Sequence, residues 1–292
     1  MHRGQCCIIC LSTPSKDKLR QGTIHAGIPQ GSKELVHGLN TYVVGNRTNP
    51  RAIIVVYSDV FGLALPNNKL IADAYAAQGD YLVYLPDFFQ GDPVTLSLAD
   101  VLIPVDAAKQ STLSKYTGLL ANVPSFVMWM MRHGDAGTNK VCMDFLQALR
   151  RDKQALKIGM VGFCWGGRYA IRAGLEDNML DVGGEKKPLV DAVVALHPSN
   201  MVLPADAAKP VVPISCGWGK EDSMVDIKQK SVLQQLHASE AEAGRKVPDI
   251  EHRVYEPGRH GFAVRGNPEN PQEKKCLEDS VSQVLDWFQR YL

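Results

Sequence analysis

Lys157-Ile158-Gly159-Met160-Val161-Gly162-Phe163-Cys164-Trp165-Gly166-Gly167-Arg168-Tyr169-Ala170-Ile171-Arg172-Ala173 is the stretch that decides how this chain folds. Its first seven residues are apolar enough for a buried parallel strand, and its last six can open a helix. Between them, Gly162-Phe163-Cys164-Trp165-Gly166-Gly167 has the spacing of a nucleophile elbow, with cysteine where serine usually stands. The small residues permit a strained turn and close passage of helix over strand, leaving Cys164 at the tip. Free cysteines are most often small buried hydrophobes, and that reading suits the other six of the seven here. For Cys164 the complete glycine context points instead to covalent acyl transfer.

The 292 residues, 45% hydrophobic and 22% charged, are enough for one large core. A net charge of +1, with basic and acidic residues interspersed, excludes a nucleic-acid field and leaves a small organic molecule as the expected partner. No apolar run approaches membrane-spanning length, and Cys6 to Leu11 is too short for a signal-peptide core. An odd cysteine count without a disulfide-scaffold composition fits a reducing compartment, so the cytoplasm is expected. Cys6, Cys7 and Cys10 with His2 or His25 make a poor metal cluster, because adjacent cysteines ligate one ion badly and no second Cys-x-x-Cys pair exists. No metal and no cofactor are expected.

Residues 1–35 lack sustained periodicity and read as an N-terminal extension; residues 36–292 read as a single domain. Leu39 to Val44 is expected as an edge strand, Ala52 to Ser58 as a central buried strand, Asn67 to Ala77 as a helix and Asp80 to Leu85 as a strand. After a helix near Val141 to Arg151 and the elbow come strands at Asp191 to Leu196 and Val211 to Cys216. A helix from Val225 to about Ala243, a strand at Glu251 to Glu256 and a helix over Glu273 to Tyr291 close the chain. This alternation implies an α/β architecture: a mostly parallel central sheet with helices on both faces. Phe88 to Pro124, interrupted by prolines, reads as a lid or helical insert.

A cysteine nucleophile needs a base, and the base an orienting carboxylate, both reached from later strand ends. Asp222 follows a buried strand in Gly217-Trp218-Gly219-Lys220-Glu221-Asp222, with Glu221 as the rival carboxylate. His260, in Glu256-Pro257-Gly258-Arg259-His260-Gly261-Phe262, is the best placed of eight histidines. His197 ends another strand and is a candidate for substrate contact or for packing. Asp59, in Tyr57-Ser58-Asp59-Val60-Phe61-Gly62, ends the central strand and enters the loop that supplies half of an oxyanion hole. The amides of Val60 and Trp165 are the expected donors there. Trp129, Trp165, Trp218 and Phe89 are candidate pocket walls.

Taken together, Ser58-Asp59-Val60-Phe61-Gly62, Tyr84-Leu85-Pro86-Asp87-Phe88-Phe89-Gln90-Gly91-Asp92-Pro93, the elbow, Gly219-Lys220-Glu221-Asp222 and His260-Gly261-Phe262 resemble the dienelactone hydrolase (carboxymethylenebutenolidase) family, particularly its fungal and plant-like branches. The resemblance runs from about Gly38 to the C-terminus. It implies an α/β-hydrolase fold, a Cys164-His260-Asp222 triad and hydrolysis of an enol-lactone or activated ester through a covalent acyl-enzyme. It implies that Asp59, where bacterial members carry glutamate, bonds the resting cysteine and helps activate it. Arg265 is displaced by one position from an arginine that binds the dienelactone carboxylate in bacterial members; with Trp218, Phe262 and His197 it completes the substrate-binding candidates. Other readings are a thioesterase or polyketide-lactone hydrolase of secondary metabolism, and a non-catalytic ligand-binding protein. A monomer or small homo-oligomer is expected.

Overall fold

In the computed structural model, residues 25–96, 98 and 124–292 are described. Eight strands form one sheet in the order β1-β2-β4-β3-β5-β8-β9-β10. They are β1 (Ser32–Val36), β2 (Leu39–Gly45), β3 (Ile53–Tyr57), β4 (Leu82–Pro86), β5 (Ile158–Phe163), β8 (Ala192–Leu196), β9 (Ile214–Gly219) and β10 (Ile250–Tyr255). A separate hairpin joins β6 (Met179–Val182) to β7 (Glu185–Pro188). The β1–β2 and β2–β4 pairs are antiparallel, and every pairing from β4 to β10 is parallel. The apolar runs of β3, β4, β5 and β8 are buried along their whole length, as strands covered on both faces must be.

The helices are α1 (Pro66–Gly79), α2 (Asp135–Asp152), α3 (Trp165–Ala173), α4 (Lys228–Glu242), α5 (Phe262–Arg265) and α6 (Pro271–Tyr291), with residues 124–132 also helical. The pleat of β5 shows how both faces are covered. A Cβ at Gly159 would meet Phe288 of α6 at 2.9 Å, whereas one at Gly162, on the opposite face, would meet the Gly166 carbonyl carbon at 2.6 Å and Ala170 of α3 at 2.7 Å. Gly162 therefore lets α3 lie directly on the strand that delivers the elbow.

Three features depart from the sequence reading. Leu39–Gly45 is not the edge: β1, five residues with an exposed and half-exposed pattern, pairs outside it. β9 runs to Gly219, not Cys216, because Gly217, Trp218 and Gly219 continue in register with Arg253, Val254 and Tyr255 of β10. The β6–β7 hairpin was not anticipated; its turn is Gly183-Gly184, both at positive φ. Most of the suspected lid, residues 97 and 99–123, and the cysteines at 6, 7 and 10 lie outside the described residues.

Candidate active site

Cys164 sits between β5 and α3 with φ 50° and ψ −115°, a conformation that costs an L-residue about 1–3 kcal/mol and persists only when its surroundings hold it. The end of β8 does so. The Cys164 amide donates to the Leu196 carbonyl and to His197 Nδ1, each at 3.1 Å, and the Cys164 carbonyl accepts from the amides of Gly167 and Ser199, each at 3.0 Å. A buried charge network fixes α3 from its other side. Asp206, 1% exposed, accepts from Arg168 Nε at 2.7 Å and Arg172 Nε at 2.6 Å, and Arg172 also bonds Asp135 at the start of α2.

The three residues expected to act together converge on the carboxyl ends of these strands. His260 Nε2 lies 3.0 Å from Cys164 Sγ, and its Nδ1 lies 3.0 and 2.9 Å from the two Asp222 carboxylate oxygens. With a carboxylate on Nδ1, that nitrogen carries a proton and Nε2 faces the sulfur. Asp222 Oδ1 also accepts from the amides of Met224 and Val225, both at 2.9 Å, so the carboxylate cannot swing away. The two loops are stitched together: the Lys220 amide bonds the Tyr255 carbonyl and the Glu221 amide the Pro257 carbonyl. Glu221 is exposed, 3.8 Å from Arg259, which removes it as the rival.

The side chains of His260 and Asp222 are each 1% exposed. Burial works to lower the basicity of His260, but negative charge on Cys164 together with the hydrogen bonds to Asp222 and Cys164 raises it from 6.5 to about 10. The surroundings of His260 thus favour its protonated form.

Asp59 lies in the loop after β3, and its Oδ1 accepts from Asn68 Nδ2 at 3.0 Å and from the Phe61 amide at 3.1 Å. Burial raises its pKa, opposed by Asn68, by the charge of Arg265 and by the Phe61 amide. Among the described residues the hydrogen-bond partners of Cys164 Sγ are His260 and Ser199, rather than the Asp59 expected there. Val60 follows in the same loop, and the Gly166 amide donates to Ser58 O at 3.2 Å, tying that loop to the elbow. Among the described residues no hydrogen bond occupies the amides of Val60 or Trp165; Trp165 opens α3, where an amide has no intrahelical acceptor.

The substrate-contact candidates fare differently. His197, 1% exposed and at φ 42°, lies beneath the site with Nδ1 accepting from Cys164. Burial, then the charge of His260, pushes its pKa well down, so it is neutral. Its ring meets those of His260 and Phe262 edge-on, each at 5.1 Å. Phe262 stacks on Tyr255 at 4.4 Å and is 3% exposed, so it backs His197. Arg265 is buried with its guanidinium 5.3 Å from the Phe61 ring and its charge acting on Asp59. Trp218 is a correction: it is in the core, donating from Nε1 to His252 Nδ1 at 3.0 Å. Trp165 packs edge-on against Trp129, 5.2 Å away, which in turn meets Phe89 at 5.2 Å, and all three rings are buried.

Sequence reading missed Ser199, whose Oγ lies 3.4 Å from Cys164 Sγ. Its only signal was position, two residues beyond a histidine at a strand end. Among the described residues, no group of three or more His, Cys, Asp or Glu side chains is gathered to hold a metal ion, and no helix is long and apolar enough to cross a membrane.

Comparison with known proteins agrees with this architecture. The model of the dienelactone hydrolase family matches residues 39–292. A protein called hydrolase pyvD from Aspergillus violaceofuscus is 30% identical over 99% of this chain and 97% of its own length. A carboxymethylenebutenolidase homolog from Xenopus tropicalis is 24% identical, with 94% of each chain covered. The crystal structure of a dienelactone hydrolase from Anabaena variabilis superposes with a TM-score of 0.54 at 15% identity, covering 90% of this chain and 99% of that one, and shares the α/β-hydrolase fold.

Proposed function

The chain belongs to the dienelactone hydrolase family and is a carboxylic ester hydrolase, and we propose that it works through a covalent thioester on Cys164, opening enol-lactones or cleaving esters with similarly good leaving groups. The observation that carries this reading is the unbroken chain from sulfur through His260 to Asp222, at 3.0 and 2.9 Å. The thiolate adds to the carbonyl carbon, and the Val60 and Trp165 amides receive the charge that develops on its oxygen. Expulsion of an enolate or aryloxide leaves the acyl group on sulfur. His260 gives its Nε2 proton to the leaving oxygen, then takes one from the water that hydrolyses the thioester, while Asp222 holds the ring in place.

Leaving-group ability sets the substrate class. A thiolate is itself a good leaving group, so the tetrahedral adduct of an alkyl ester returns to substrate more readily than it expels an alkoxide. The burial of Arg265 against Phe61 and Asp59 gives no support to a role in holding a substrate carboxylate.

A panel of a dienelactone, an aryl ester, an alkyl ester and an acyl thioester tests the reading with wild type and Cys164→Ala. The enol-lactone and aryl ester should turn over fastest, and the variant should turn over none. Alkyl ester hydrolysis at an equal rate, or full activity in Cys164→Ala, would overturn it.

A further inference from the structure

We propose that Ser199 is a positioning residue whose hydroxyl donates to the Cys164 sulfur and holds it as a thiolate beside His260, an inference that rests on Cys164 being the nucleophile. Ser199 Oγ is 3.4 Å from Sγ, in a residue only 5% exposed, while its own amide donates to the Cys164 carbonyl at 3.0 Å. One residue thus grips both the backbone and the side chain of the elbow. The residues around it serve that placement: His197 and Asn200 adopt positive φ, turning the chain sharply on either side of Pro198-Ser199.

Charge decides which way the hydroxyl points. Among the described residues the sulfur has two hydrogen-bonding neighbours, His260 Nε2 at 3.0 Å and Ser199 Oγ. When His260 carries both ring protons, it donates to sulfur, and the Ser199 hydroxyl can only add to this by donating as well. Hydrogen bonds to an ionised acceptor are about twice as strong as neutral ones, so the serine favours thiolate over thiol. Once the sulfur is acylated it carries no charge, and the hydroxyl loses that partner. The other ionisable groups around the pair are Asp222, on His260 Nδ1; Asp59, from the loop after β3; Arg265, on α5, whose charge acts on Asp59; and neutral His197 at the end of β8. Among the described residues the bonds shown to Sγ come from His260 and Ser199, and the serine hydroxyl is the one placed to complement His260.

Alkylation by iodoacetamide, read at the Cys164 peptide by mass spectrometry across pH 5–10, tests this in wild type, Ser199→Ala, Ser199→Thr and Ser199→Val. Thr and Val are nearly equal in volume and differ in the hydroxyl, so that pair decides the matter even if the Ala variant does not fold. Loss of the hydroxyl should move the midpoint of the alkylation profile up by about one unit, a loss of rate of about 10-fold on its acid limb, with the rate recovering at pH 10. Thr should restore the wild-type midpoint and Val should not. Equal profiles for Thr and Val, or a uniform loss at every pH, would overturn the proposal. Ester turnover by Cys164→Ala is measured alongside. Turnover there would defeat the nucleophile assignment itself, whereas an inactive Cys164→Ala with unmoved serine variants would defeat only the role of Ser199.

Discussion

Gly166→Ala should disable the enzyme by distance alone. Gly166 is inside α3 with ordinary helical φ, so alanine meets no dihedral penalty and gains helix propensity. What it meets is backbone: its Cβ would stand 2.6 Å from Ser58 O, 2.6 Å from the Tyr57 carbonyl carbon and against Tyr57 O. Carbon–oxygen contacts in proteins normally close to about 3.3 Å. The contact with Ser58 O alone requires the elbow and the 58–60 loop to separate by about 0.7 Å, the difference between 3.3 and 2.6 Å, and the closer Tyr57 O requires more. That separation moves the Val60 amide away from the Trp165 amide and stretches the Gly166-to-Ser58 hydrogen bond.

Misplacement of about 1 Å costs on the order of 100-fold in rate, so kcat on an aryl ester should fall about 30- to 100-fold. Overpacking should cost about 1–3 kcal/mol of stability in urea unfolding. Gly137→Ala in α2, where an added Cβ meets nothing within 4 Å, is the control. It should gain about 0.5–1 kcal/mol and leave kcat unchanged. A Gly166→Ala enzyme within threefold of wild-type kcat would refute the close-approach argument.

Asp222→Asn keeps the shape but removes the charge that orients His260, and kcat/KM on the same ester should fall about 10³- to 10⁴-fold; a loss under tenfold would count against the triad. Asp206→Ala removes the buried carboxylate that Arg168 and Arg172 share and leaves both with the half-exposed Asp135, so it should cost about 3 kcal/mol, the low end for a broken buried pair, in denaturant unfolding, with unchanged stability as the contrary result. Burial lowers His252 from 6.5 to about 4, so the unfolded chain binds its proton first and the fold loses stability as pH falls from 6.5 towards 4. Urea midpoints should fall over that window by the equivalent of about 2 kcal/mol, allowing for partial solvent screening, and His252→Gln should flatten the slope. Parallel slopes would assign the acid loss elsewhere.

The parts of this fold that were legible are those whose physics is local. A run such as Ile53 to Tyr57 has to be covered on both faces, and the glycines around Cys164 admit few conformations other than the elbow. The order of Cys164, Asp222 and His260 followed from strand ends, which is why loops far apart in sequence could be matched. β1 was missed because Ser32–Val36 alternates weakly and gains its partners only from β2. Trp218 was misplaced because Gly217 and Gly219 read as a turn, whereas a Cβ at Gly219 would strike the Gly258 carbonyl; the glycines let the His260 loop pass close by. Ser199 was invisible because nothing in Pro198-Ser199-Asn200 shows that the carbonyl of Cys164 turns the chain back onto its own sulfur.

The most direct test of the account is to stop aryl-ester turnover with acid and map the acyl group by peptide mass spectrometry. The acyl mass should appear on the peptide containing Cys164 during turnover and vanish when substrate is exhausted, with no turnover in Cys164→Ala. An acyl group on another residue, or undiminished hydrolysis by Cys164→Ala, would contradict it.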